Sequence, residues 1–183
     1  KLILKTMPFW KNINFTPNLL TTLGLYSSIL SIFFLYKRNS ILAILFLLLR
    51  WYFDYADGIF ARKYDQVTKW GDIYDHIVDL FYAVGIIAIV LFAKYPQKPR
   101  YLKYYILIVF IVFFILFLIQ MGCIEKAYNK VVYKEKVNET TISRLRYLCA
   151  DKYQYIINAF DNGTLYIVTI ILFIVFCYYK PNK

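Results

Sequence analysis

Six of the chain's eleven acidic residues fall between positions 54 and 79, in the stretch DYADGIFARKYDQVTKWGDIYDHIVD. Five of them lie near or within apolar helical sequence. An aspartate at the centre of a membrane helix costs about 2.5–3.5 kcal/mol on the insertion scale, so intramembrane carboxylates point to function. Asp54 and Asp57 stand at i,i+3 and Asp75 and Asp79 at i,i+4, so each pair shares one helix face. The short basic turn between them, from Lys63 to Lys69, makes the two helices antiparallel neighbours with both pairs at one membrane level. Four close carboxylates repel unless a cation lies among them, and oxygen-only ligands suit Mg²⁺, Mn²⁺ or Ca²⁺. Two such ions about 3.5–4 Å apart can clamp a diphosphate. Gly58 and Gly71 offer places where a nucleotide can approach the backbone, and Arg62, one turn beyond Gly58, can grip phosphate oxygens. Asp65, in the turn, reads as an ordinary surface charge. Asp72 reads either as an outer partner of Asp75 or as a favourable charge at a helix N-terminus.

The elements that must carry these residues are membrane helices. Of 183 residues, 61% are hydrophobic and only 18% charged. A soluble domain is usually about 45–50% apolar and about 25% charged. Segments of spanning length run over about 19–36, 41–61, 73–93 and 101–121, with a fifth over about 164–179. The first long apolar run begins near Leu19, with no signal peptide ahead of it, and the start on Lys1 reads as a trimmed end. The expectation is one transmembrane catalytic domain over 1–183, with a polar loop at 122–162. Within that loop, 142–160 has the pattern of an amphipathic interfacial helix or a short extra span. Cys123, Cys149 and Cys177 have no metal-ligand or disulfide-scaffold spacing and read as free thiols.

The net charge of +11 suits anionic lipid headgroups or a phosphate-bearing substrate at the membrane surface rather than nucleic acid, for which no basic soluble face exists. With the N-terminus inside, thirteen Lys and Arg flank the spans on the cytosolic side and eight on the other, Arg50 being inside a span. That orientation places the acidic cluster at the cytosolic face. It also leaves the sequons at Asn138 and Asn162 unglycosylated.

The spacing Asp54-x2-Asp57-Gly58-x2-Ala61-Arg62-x8-Gly71-x3-Asp75-x3-Asp79 resembles, at every position, the signature of the CDP-alcohol phosphatidyltransferases. Thr16-Pro17-Asn18 before the first span also resembles that family. The resemblance implies an all-α membrane bundle of about six transmembrane helices, five of them within this chain, and commonly a homodimer. It implies phospholipid biosynthesis with Mg²⁺ or Mn²⁺ at a two-metal site. A CDP-linked donor passes a substituted phosphate to a lipid or other alcohol acceptor, and CMP leaves. By the same resemblance Asp54, Asp57, Asp75 and Asp79 bind metal, and Asp79 is the base for the acceptor hydroxyl. Asp57, Gly58, Ala61, Arg62 and Gly71 serve the nucleotide and its diphosphate. Asn18 serves there too, or else caps or packs its helix.

The segment Asp75-His76-Ile77-Val78-Asp79 is similar to the D-H-x-x-D of the choline and ethanolamine phosphotransferases. His76, the chain's only histidine, is then a second candidate base, since an imidazole with a pKa of about 6.5 suits proton abstraction at neutral pH. The bland alternative is a helix-surface residue about 100° around from Asp75. Diacylglycerol is the expected acceptor for a CDP-choline or CDP-ethanolamine donor. An endoplasmic-reticulum-like membrane is the expected location if the source is eukaryotic or viral. The alternative is a CDP-diacylglycerol donor with inositol, serine or glycerol phosphate. The inositol branch resembles D-x-x-x-D-R, and Leu80 at its Arg position disfavours an inositol acceptor; the bacterial phosphatidylglycerophosphate and cardiolipin synthases resemble D-P-x-x-D-K, a pattern that Ile77, Val78 and Leu80 replace here. A cation transporter is a more distant reading, because it needs intramembrane acids but not Gly58, Ala61 and Gly71 at these gaps.

Overall fold

The computed structural model describes residues 2–92, 100–132 and 162–178. Every element among them is a helix: α1 (Leu2–Asn12), α2 (Pro17–Tyr36), α3 (Ser40–Lys63), α4 (Lys69–Phe92), α5 (Arg100–Val132) and α6 (Asn162–Tyr178). They divide into two compact units, Lys1–Lys98 with Phe176–Lys183, and Pro99–Val175. The protein is an all-α integral membrane protein. Helices α2 and α4, and Tyr101–Gln120 within α5, are long and apolar enough to cross a bilayer. Helix α3 has the length, at 24 residues, or about 36 Å. It carries Arg50, Asp54, Asp57, Arg62 and Lys63, and buries Arg50 and Asp57 within the protein rather than toward lipid.

The sequence places its own stops. Thr16 caps α2, its Oγ1 accepting from the Leu19 amide at 3.3 Å, and Pro17 opens the first turn. Asn39 caps α3 in the same way through Leu42, at 3.1 Å. Three helix ends close through a residue with positive φ that is not glycine: Asn14, Arg38 and Asp65. Each follows the same reverse-turn pattern. After α3, the amide of Gln66 donates to the carbonyl of Ala61 at 2.8 Å. Asp65 is therefore the left-handed cap of α3, a structural role in keeping with its reading as a turn residue.

In the first unit α2 is the central helix. It packs against both α3 and α4, while α3 and α4 barely approach each other along their backbones. The expected side-by-side pairing of α3 and α4 is thus replaced by a gap with α2 beside it. The reason lies in α2's buried seam of Thr21, Gly24, Ser27, Ser28 and Ser31, since small residues let membrane helices approach closely. Ser31 ties the three helices together, donating to the Ala43 carbonyl at 2.9 Å and lying 3.0 Å from the Tyr82 hydroxyl.

Helix α1 precedes the first expected span and has no counterpart in the apolar pattern. Eleven residues are too few to stand alone in water. It is held by docking on α3, where Trp10 Nε1 donates to the Tyr52 hydroxyl at 2.9 Å and that hydroxyl donates to Thr6 Oγ1 at 2.6 Å. Met7, Leu20, Ala56 and Phe60 form a fully buried cluster joining α1, α2 and α3.

In the second unit α5 continues to Val132, about three turns past the expected start of the polar loop. Ile106, Phe110 and Cys123 are buried on it. Cys123 is disulfide-bonded, contrary to its reading as a free thiol. Helix α6 is apolar from Gly163 to Tyr178, matching the fifth expected apolar segment, but it falls short of the length of the other spans. Asn138, Cys149 and the 142–160 segment lie outside the described residues.

Candidate functional site

The site stands on the gap between α3 and α4. From α3, Asp54 projects toward it; from α4, Asp75 and Asp79 do the same. Each offers a carboxylate oxygen, and these oxygens all lie within 4.8 Å of one another. Oxygen ligands around one hard cation sit about 2.0–2.6 Å from it, so opposite ligands are about 4–5 Å apart, and the cluster fits such an ion. Its chemistry, carboxylate only, suits Mg²⁺ or Mn²⁺ and not a soft metal.

Asp57 is not one of these three. It lies a turn further along α3, 5% exposed, and its Oδ2 accepts a 2.6 Å hydrogen bond from the Thr21 hydroxyl of α2. Thr21 therefore orients Asp57 from the side on which α2 packs. Spacing does not connect Thr21 to Asp57, which is 36 residues away.

Arg50 was also outside the expected site. Its guanidinium pairs with Asp79, lies 3.9 Å from Asp54 Oδ1, and stands over the Tyr82 ring with 4.7 Å to the centroid. A signal was present in the sequence, because Arg50 is one helical turn before Asp54 and so shares its face. A charge within a span, left out of a count of flanking charges, is where that signal lies.

The glycines act by what they lack rather than by conformation, since no glycine has positive φ among the described residues. A Cβ on Gly58 would sit 3.2 Å from an Arg62 guanidinium nitrogen. A Cβ on Gly71 would sit 3.1 Å from Asn18 Oδ1 and 3.1 Å from Thr68 Oγ1. Asn18 thus faces the first turn of α4 across from Gly71, and Thr16, not Asn18, is the cap of α2. Ala61 is half-buried and Arg62 exposed at the charged end of α3. Thr68 caps α4 through the Gly71 amide, at 3.0 Å.

His76 is half-buried on the neighbouring face of α4. Its Nδ1 is 2.6 Å from the Asp72 carbonyl oxygen and 3.9 Å from the Asp72 carboxylate. Asp72 is exposed in the first turn of α4. That is the position where a negative charge favours the helix N-terminus.

A family model described as CDP-alcohol phosphatidyltransferase matches residues 14–180. Two relatives come from Aquifex aeolicus (strain VF5). An uncharacterized protein is 44% identical over 73 residues, which cover 40% of this chain and 37% of the relative. A CDP-diacylglycerol--glycerol-3-phosphate 3-phosphatidyltransferase is 33% identical over 79 residues, covering 43% of this chain and 44% of the relative. The chain thus spans less than half the length of either curated relative. No solved structure matches it.

Proposed function

The chain belongs to the CDP-alcohol phosphatidyltransferase family, and from that premise we propose that it transfers a substituted phosphate group from a CDP-linked donor to an alcohol, with release of CMP, in phospholipid biosynthesis. The observation that carries this reading is the convergence of Asp54, Asp75 and Asp79 from two helices onto one point.

Asp54, Asp75 and Asp79 would hold one Mg²⁺ or Mn²⁺, with Asp57 contributing to a second, and the ions would neutralise the diphosphate and the oxygens of the departing CMP. Gly58, Ala61 and Gly71 leave room for the nucleotide. Asn18 can bond it from the α2 side, and Arg62 grips phosphate oxygens at the exposed end of α3. The acceptor oxygen forms a bond to the donor's transferred phosphorus as the bond from that phosphorus to CMP breaks. The acceptor's proton passes to the base.

Asp79 is the proposed base, because it belongs to the converging set, while His76 has Nδ1 turned toward the carbonyl of its own helix. His76→Ala should keep the rate of CMP release within about threefold of wild type. A fall of about a hundredfold or more, the usual range for a lost general base, would move that role to His76.

The cytosol-facing orientation draws on the excess of basic residues flanking that side of the spans. For the substrates, the Asp75-His76-x2-Asp79 segment supports CDP-choline or CDP-ethanolamine as donor and diacylglycerol as acceptor. A second reading, CDP-diacylglycerol with a small alcohol such as glycerol phosphate, draws on the Aquifex relative named for that reaction. A panel of donors and acceptors, read by CMP release and by the lipid formed, separates the two. Turnover of a CDP-amino-alcohol with diacylglycerol is expected. Turnover confined to CDP-diacylglycerol would overturn that choice and establish the second reading.

A further inference from the structure

Arg50 has a place in this site that the family signature does not describe. It is 6% exposed, in the middle of a helix that exposes Leu45, Leu48 and Leu49. Three helices build its position. Its guanidinium reaches Asp79 on α4 and Asp54 on its own α3. It rests against the ring of Tyr82, whose hydroxyl is fixed 3.0 Å from Ser31 on α2. Because the α3 and α4 backbones barely approach each other, Arg50 closes the gap between them at the level of the carboxylates.

We propose that Arg50 is a resident counter-cation, which holds Asp54 and Asp79 together in the metal-free protein and competes with a divalent metal for the same two carboxylates. The proposal rests on the metal site of the preceding section. Clustered carboxylates repel one another, and a positive charge between them relieves that repulsion. A guanidinium and a divalent ion a few ångströms apart also repel. Metal binding must therefore draw Asp79 away from Arg50 or act against its charge. Arg50 is on this account a positioning residue.

The test is Mn²⁺ binding to the purified full chain without nucleotide, followed by electron paramagnetic resonance, with melting temperatures recorded in EDTA and in Mg²⁺. Arg50→Gln should bind Mn²⁺ at least about tenfold more tightly than wild type, the scale expected when a buried positive charge beside partly exposed carboxylates is removed. It should also melt lower in EDTA and gain more from Mg²⁺ than wild type does. Arg50→Lys, which keeps the charge, should bind Mn²⁺ close to wild type. If Arg50→Gln does not fold, Arg50→Met is read in the same way. Equal or weaker Mn²⁺ binding in the neutral variant, with equal loss of melting temperature in both buffers, would overturn the proposal and leave Arg50 a packing residue. Absence of Mn²⁺ binding to the folded wild type would overturn the metal reading, and this proposal with it.

Discussion

Replacing Asp75 with asparagine should lower CMP release by about a thousandfold or more while leaving the protein folded. The side chain keeps its shape, but the converging set loses one of its three negative charges. An amide is a poor ligand for a hard divalent ion where a carboxylate is needed to balance charge. Losing a single electrostatic contact in a preorganised site costs about 10²–10³ in rate, and Asp75 would serve both the ion and, through it, the diphosphate. Asp65→Asn is the matched control. It removes an acid from the same 26-residue stretch but retains a residue type that accepts the left-handed cap conformation, so CMP release should match wild type. Equal activity in the Asp75 and Asp65 variants would remove the acidic cluster from the mechanism.

Phe60→Ala should be the most destabilising single truncation in the first unit. Phe60 has no exposed surface and is the largest side chain of the cluster formed with Met7, Leu20 and Ala56. That cluster sits next to Arg62 and Lys63, at the end of α3 that meets water, so burial there counts as removal from water rather than exchange with lipid. Truncating a buried phenylalanine costs about 3–5 kcal/mol. For a chain of this size that is a fall of roughly 10 °C or more in melting temperature, measured on detergent-purified protein. Because Asp57 is one turn before Phe60 on the same helix, activity should fall together with stability. A shift of under about 2 °C would show that α1 and α2 do not depend on this contact.

The carboxylate pairs are legible in the sequence because the relation within each pair is local: helical spacing puts two residues on one face whatever surrounds them. The C-terminal ends of α2 and α4 are legible too, whereas the cap of α2 is not: the sequence offers Asn18 for it, and Thr16 takes it. What escapes is non-local. Asp57 meets Thr21, and Arg50 meets Asp79, across 36 and 29 residues, and both meetings depend on where α2 lies. The turn from α3 to α4 suggests two helices side by side. Instead, the Gly and Ser seam of α2 packs on both of them and leaves the gap in which the acids converge. Helix α1 escapes for another reason. Its stability comes from Trp10, Tyr52 and Thr6 docking onto α3, not from any pattern of its own. Asp65 is legible as a turn residue, but its role as the left-handed cap of α3 appears only with backbone geometry.

Whether the chain transfers a substituted phosphate from a CDP-linked donor is decided by supplying the purified wild-type protein with CDP-choline, CDP-ethanolamine and CDP-diacylglycerol, each with candidate acceptors, in Mg²⁺ or Mn²⁺, and measuring CMP. CMP should form in step with a phosphodiester lipid, and its formation should be abolished by EDTA and restored by adding the metal back. Folded protein that binds Mn²⁺ yet releases no CMP from any of these donors would contradict it.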